Sequence, residues 1–359
     1  MEYYIVTRDI LNIRSKPVVN NDTYIGELYK GEVIRLQDEP VFGDQPPGAT
    51  DNIWRKDHYN RVVHSNGVRV LTWPEKKKLM TDAIQQCWDG PAGAVAVLDT
   101  GIIDNHPNLP TGIVHLEAFN GQVDVYTPGP LPDLHGSVMA GIIAGKKSGD
   151  KVVGVSPESV LADYRIDMGT GTGVPGNMLT ALTDIRKKAS IRVINISQEI
   201  TFVLPNVLQN VDEAFAELIN DRRIIVAATG NQICDKQDLF FPGSNNRVIT
   251  VGILRSGVPT EFVDCLAQPG VLQLTRQPDC FIELDEWETC TRTGTASCIT
   301  AASSEATAIM SGLIALKVGK KNTLNQEIIR QQIFSSSILQ GSSSALIIRK
   351  LDIPAFLNI

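Results

Sequence analysis

Four apolar runs set the terms on which this chain folds: Val95 to Leu98, Val193 to Ile196, Ile224 to Ala228 and Val248 to Ile253. Each is short and almost wholly apolar, with Asn195 and Thr250 the polar interruptions, so each is expected to bury both of its faces. Stretches with helical spacing, Asn177 to Ala189 and Leu208 to Ile219, lie between them. Doubly buried strands alternating with helices predict a parallel sheet covered by helices on both sides. At 359 residues, the chain has room for about two domains.

The first 73 residues follow another rule. Tyr3 to Val6, Leu11 to Pro17, Tyr24 to Leu28 and Lys30 to Ile34 alternate apolar and polar positions and are separated by turn residues, which predicts a small β-barrel. Glu39 to Asn52 is rich in Pro, Gly and Asp and reads as a loop. Arg61 to Val63 and Val68 to Leu71, on either side of Asn66-Gly67, read as a closing hairpin. The runs Leu11-Asn12-Ile13-Arg14-Ser15-Lys16-Pro17 and Tyr24-Ile25-Gly26-Glu27-Leu28 resemble bacterial SH3-like domains, for which the resemblance implies a protein or peptide ligand. Near Pro74 the pattern turns helical and stays so to Trp88, with Leu79, Met80, Ile84 and Cys87 on one face.

The net charge of -7 supplies no positive field for a polyanion, so nucleic acid is not the expected partner. Thr293 to Leu316 is the longest weakly charged stretch, but Glu305 interrupts it and the remainder is too short for a bilayer. It reads as a buried helix, and no membrane partner is expected. Met1 to Ser15 lacks the apolar core of a secretory signal, from which a cytoplasmic location is expected. The six cysteines have none of the close pairings of zinc or redox motifs, and reduced thiols are the expectation.

Four local patterns carry chemistry. Asp99 ends the first apolar run, in Leu98-Asp99-Thr100-Gly101, and so stands at the carboxyl end of a buried parallel strand, where open α/β sheets put their sites. Alone, it serves a turn as readily as a reaction. His135 opens a helix whose small residues at 137, 141 and 145 allow a close approach to other backbone, a rigid mount for a general base. Ser303-Ser304 opens another small-residue helix, where a serine either caps the helix or meets developing negative charge. Ile224 to Asn231 runs a buried strand into Gly230 and a neutral amide donor, the group an oxyanion needs.

In the order Asp, His, Asn, Ser, these patterns resemble the subtilisin-like serine peptidases. Further matches follow in sequence: His106-Pro107-Asn108-Leu109, Gly154-Val155-Ser156-Pro157, Val193-Ile194-Asn195-Ile196-Ser197, Phe241-Pro242 and Pro269-Gly270-Val271. The resemblance implies a three-layer α/β/α fold with a mostly parallel central sheet over residues 74–359, behind the small SH3-like β-barrel of residues 1–73. It implies a serine endopeptidase acting on polypeptides, with Asp99, His135 and Ser304 as catalytic triad and Asn231 at the oxyanion. Ser197 and Gln198 would lie along the substrate, and Thr229 and Gly230 would line the pocket for the residue before the cut. No cofactor is required for this chemistry, and calcium ligands are not legible from spacing.

The family's G-T-S-x-A-x-P reads Ala302-Ser303-Ser304-Glu305-Ala306-Thr307-Ala308, and Ser304 is chosen because it precedes Gly312 by the family's interval. The segment 272–300, with three cysteines, has no counterpart in the pattern. An aspartic protease would also use Asp99-Thr100-Gly101, but no second Asp-Thr-Gly or Asp-Ser-Gly occurs to share its proton. A catalytically inactive subtilisin fold that binds peptides is the alternative left by the altered residues around Ser304.

Overall fold

The N-terminal segment forms eight short strands among the described residues: β1 (Glu2–Val6), β2 (Ile10–Arg14), β3 (Tyr24–Tyr29), β4 (Val33–Leu36), β5 (Val41–Phe42), β6 (Ile53–Lys56), β7 (Val62–His64) and β8 (Val68–Val70). They form two antiparallel sheets, ordered β4-β1-β8 and β3-β2-β7-β6-β5, around Tyr4, Val6, Leu11, Ile13, Leu36 and Val63. The computed structural model describes residues 1–37, 39–128, 134–147, 149, 153–168, 175–200, 205–231, 233–236, 238–262, 272, 274–291, 295–298, 302–342 and 346–358.

Two features of this unit depart from the sequence expectation. The hairpin around Asn66-Gly67 does not form: β7 pairs with β2 and β6, whereas β8 pairs with β1. Between them Ser65–Gly67 makes a 3-10 turn. Asn66 is tied by its side chain to Thr50, and a side chain at Gly67 would strike Leu11 at 2.3 Å. The expected loop at 39–52 contributes β5 to the sheet edge.

Helix α1 (Trp73–Gln85) follows. Contacts cluster into two units, Met1–Met80 and Thr81–Ile359, so the division falls within α1. In the second unit, β9 (Ala94–Asp99), β10 (Val114–Phe119), β11 (Gln122–Val125), α2 (His135–Ala144), β12 (Leu161–Arg165), α3 (Pro175–Arg186), β13 (Ile191–Ile196), α4 (Pro205–Asn220) and β14 (Ile224–Ala228) come first. The short α5 (Ile233–Lys236), β15 (Ile249–Arg255), β16 (Val258–Pro259), β17 (Cys280–Glu283), β18 (Trp287–Cys290) and β19 (Thr295–Cys298) follow. The unit ends with α6 (Ser303–Lys320), α7 (Gln326–Ser336), β20 (Ser337–Ser342), β21 (Ile347–Leu351) and α8 (Ile353–Asn358).

The large mixed sheet runs β11-β10-β12-β9-β13-β14-β15-β17-β21-β20, with β16 beside β15. From β10 through β21 neighbouring strands are parallel, and antiparallel pairs close both ends. Period-two alternation divides its apolar residues. Ala96, Leu98, Ile194, Ile196, Ile225 and Ala227 join Met178 and Leu182 of α3 and Phe215 of α4 in one core. On the other face lies α6, buried almost all round from Ser303 to Val318, with Ser311 Oγ donating to Asn195 Oδ1 of β13 at 2.9 Å. From β9 the chain forms β10 and β11 at one end of the sheet, returns as β12 on one side of β9, and then crosses to β13 on the other. That reversal opens a crevice at the carboxyl ends of β9 and β13.

Small residues bring α2 against its neighbours. An added Cβ at Gly136 would lie 2.5 Å from the carbonyl oxygen of Gly101, and one at Gly141 would lie 2.6 Å from the backbone nitrogen of Cys290. The β10–β11 hairpin turns at Asn120 and Gly121, with φ of 52° and 79°, the Asn-Gly pairing that suits a tight hairpin. Cys87, Cys280 and Cys290 are free thiols, but Cys234 is disulfide-bonded, which corrects the expectation of reduced cysteines. Disulfide pairing is made through space, so the irregular sequence spacing concealed it. Among the described residues no helix is long and apolar enough to cross a membrane.

The Gly141 contact predicts the cost of one methyl group. Gly141→Ala forces α2 and β18 apart at a backbone atom and lowers unfolding stability by about 1–3 kcal/mol, the range for overpacking. Urea titration followed by tryptophan fluorescence measures it, and an unchanged midpoint would show that β18 gives way freely.

Candidate active site

Asp99 ends β9 fully buried. Its Oδ1 accepts from the Thr100 amide at 2.8 Å, from His135 Nδ1 at 2.7 Å and from Gln198 Nε2 at 3.0 Å. Its Oδ2 is buried without a hydrogen-bond partner among the described residues. A carboxylate at Nδ1 sets the tautomer of a neutral imidazole with its proton there, leaving Nε2 as the basic nitrogen. His135 stands at the first position of α2, its side chain 30% exposed. The mount is rigid because Gly136 lies against Gly101 and donates its amide to Thr100 Oγ1 at 3.1 Å.

Ser304 occupies the second position of α6 and is 4% exposed. Its Oγ donates to the carbonyl of Ser197 at 2.9 Å, and Ser197 Oγ donates back to the carbonyl of Ser304 at 3.1 Å. Gln198 follows Ser197 directly, so two adjacent residues leaving β13 hold both the Ser304 hydroxyl and the Asp99–His135 pair. The sequence placed Ser197 and Gln198 along a substrate strand; the Gln198 side chain, 5% exposed, also turns inward to the carboxylate. Nothing local in the sequence signals that contact, which spans 99 residues.

Ser303 makes the complementary link. Its amide and its Oγ both donate to Asn231 Oδ1 at 3.1 Å, and its Oγ reaches the carbonyl of Gly230 at 3.2 Å. With Oδ1 so occupied, Nδ2 is the end of the Asn231 amide left to donate to a ligand. The Asn231 backbone amide is held by Glu199 Oε2 at 2.9 Å. Ser303 and Glu199 are positioning contacts that the sequence reading passed over; the pairing of a serine with its neighbour Ser304 at a helix start was the available signal.

Thr229 and Gly230 directly precede Asn231 and are both buried. Thr229 is fully buried, and its hydroxyl donates to Glu261 Oε1 at 3.1 Å. Gly230 adopts φ 98°, and Phe240 ring atoms lie 2.4 Å from where its Cβ would stand. Glu261 is itself buried and accepts the Ile253 amide at 2.8 Å, while its Oε2 has no hydrogen-bond partner among the described residues. Among the described residues no group of three His, Cys, Asp or Glu gathers to hold a metal ion.

The family model described as the subtilase family matches residues 90–350, well over half of the sequence, and the chain belongs to that family. It is 25% identical over 203 residues to a subtilisin of Bacillus sp. (strain TA39), covering 56% of this chain and 47% of that protein. It is 30% identical over 166 residues to an intracellular serine protease of Paenibacillus polymyxa, covering 45% of this chain and 49% of that one. The chain thus spans about half the length of these curated relatives, which are subtilisin-like serine proteases. Its fold is similar to that of fervidolysin from Fervidobacterium pennivorans, with a TM-score of 0.59 and 19% identity over 78% of this chain and 45% of that one. It is also similar in fold to MycP1 without its N-terminal propeptide, with a TM-score of 0.57 and 19% identity over 79% of this chain and 96% of that one.

Burial pushes the Glu261 carboxyl from its ordinary 4.5 up to about 7, against the opposing hydrogen bonds from Ile253 and Thr229. The folded state therefore holds a proton that the unfolded chain releases near 4.5. Stability falls as pH rises from about 4.5 to about 7 and is level above that for this group. The loss is on the order of 3 kcal/mol. In Glu261→Gln, which keeps an oxygen for Thr229 and Ile253, this slope disappears. Paired stability profiles across that window measure it; parallel curves for the two proteins would contradict the assignment.

Proposed function

We propose that this chain is a serine endopeptidase working through Asp99, His135 and Ser304. The observation that carries the reading is the 2.7 Å contact of Asp99 with His135, joined through the adjacent Gln198 and Ser197 to the Ser304 hydroxyl. Rotation about the Ser304 side-chain bond frees its Oγ from the Ser197 carbonyl and turns it to the imidazole. The oxygen then bonds to the scissile carbonyl carbon while His135 Nε2 takes its proton. Asp99 holds the tautomer and stabilises the imidazolium.

The carbonyl oxygen gains the negative charge. Asn231 Nδ2 donates to it together with the Ser304 amide, one of the first-turn amides that a helix leaves without an intrahelical acceptor. The C–N bond breaks as His135 returns the proton to the leaving amine. Water then attacks the acyl-enzyme by the same base and restores Ser304. The main chain at Ser197 and Gln198 pairs with an extended substrate as an added strand, and Thr229 with Gly230 borders the residue before the cut. No cofactor enters these steps. The two antiparallel sheets of the first unit support an SH3-like module that targets or regulates the enzyme.

Ser304→Ala lowers peptide cleavage by at least about a thousandfold, and a fluorophosphonate forms an adduct on Ser304 visible by mass spectrometry. Folded protein that takes no adduct and cuts no peptide from a library is instead a peptide-binding member of the fold. Asn231→Ala reduces turnover by about 10²–10³, a magnitude taken from subtilisin itself, with little change in KM. A loss confined to KM would remove Asn231 from the oxyanion role.

A further inference from the structure

Within the first unit, Arg14 has no ion-pair partner among the described residues. Arg14, at the end of β2, is 9% exposed. Its Nη1 donates to the carbonyl of Asn20 and, at 3.1 Å, to Thr23 Oγ1. Its Nε and Nη2 have no acceptor, and no carboxylate pairs with it, among the described residues. Neither atom is among the buried ones that lack a partner, so this edge meets solvent and is open to an anion.

Arg14 lines a cavity of about 240 Å³, and Arg8, exposed and without an ion pair among the described residues, lines it too. No Asp or Glu is among the described residues of its wall, although the whole chain carries a net charge of -7. Pro46, Pro47 and Trp54 give it an apolar side. Trp54 is 1% exposed and its Nε1 donates to the carbonyl of Asp44 at 2.9 Å, so it backs the wall and offers a ligand almost no surface. His64, also in the wall, has Nε2 at 3.1 Å from the carbonyl of Asp51 and Nδ1 accepting from the Asn66 amide. The two guanidiniums and the Asn12 amide are the polar side chains of the wall left to meet a ligand.

We propose that this cavity binds a carboxylate side chain presented by an extended peptide, with the Nε–Nη2 edge of Arg14 holding both oxygens and Arg8 meeting them from solvent. One planar edge matches a carboxylate in two parallel bonds. The volume suits one or two side chains rather than a nucleotide. Pro46 and Pro47 receive the peptide beside its acidic residue. The site stands whether or not the second unit is a protease.

Fluorescence anisotropy of the full chain with a labelled, end-capped Ala-Pro-Glu-Pro-Ala peptide tests this, with mass spectrometry confirming that the peptide stays intact. The glutamate peptide binds, and its glutamine twin binds at least about tenfold more weakly, the step supplied by a charge-assisted pair. Added salt weakens the glutamate complex. Arg8→Ala, at an exposed position, weakens the glutamate peptide alone. Arg14→Lys, checked for native circular dichroism, keeps the charge but loses the fork and also weakens it. Equal binding of the two peptides, no binding of either up to millimolar concentration, or tighter binding of a phosphoserine twin would overturn the proposal.

Discussion

A carboxylate at the end of a fully buried strand is the constraint around which the second unit is arranged. Asp99 is removed from water by β12 and β13 on either side, so its charge must be met by donors from the protein. Three donors reach Oδ1, and they come from three places: the following turn, the start of α2 and the exit of β13. Each fixes one element of the crevice relative to the sheet. The imidazole is oriented as a by-product of stabilising the acid, which is how a structural need and a chemical one come to share the same atoms.

Close packing supplies the rest. Neither α2 nor α6 could pack so closely if its contact stripe carried full side chains: at Gly312 a Cβ would stand 2.7 Å from Val155, and at Gly136 one would stand 2.5 Å from Gly101. Behind the crevice a buried polar thread runs from Ser311 through Asn195 to Ser197 and on to Ser304. Buried polar groups tolerate few arrangements, so such a thread sets the register of α6 against β13. Helix and strand are thus held by directional bonds where apolar contact alone would permit sliding.

The sheet was legible because its central strands are largely apolar on both faces, and Asp99, His135, Asn231 and Ser304 stood out as candidates because each sits at the end of such a run or the start of a small-residue helix. What the sequence concealed depends on neighbours far along the chain. Glu261 meets Thr229 across 32 residues, and Gln198 meets Asp99 across 99, with no local pattern to announce either. The misread hairpin at Asn66-Gly67 has another cause. A turn signal specifies that the chain bends, but which strands then pair depends on the sheet each one joins. The Asn120-Gly121 pair shows the converse, a turn whose flanking strands do pair.

Two adjacent serines, 303 and 304, divide their duties between separate halves of the crevice, and Ser197 with Gln198 does the same from the opposite wall. Each dipeptide is a single rigid unit across its peptide bond, so displacement of one member carries the other with it. Substitutions at these four positions therefore compound rather than sum, and drift at one narrows what the others can accept. Variation in this lineage is expected to enter such a crevice in matched pairs, with single replacements confined to residues that face only one side of it.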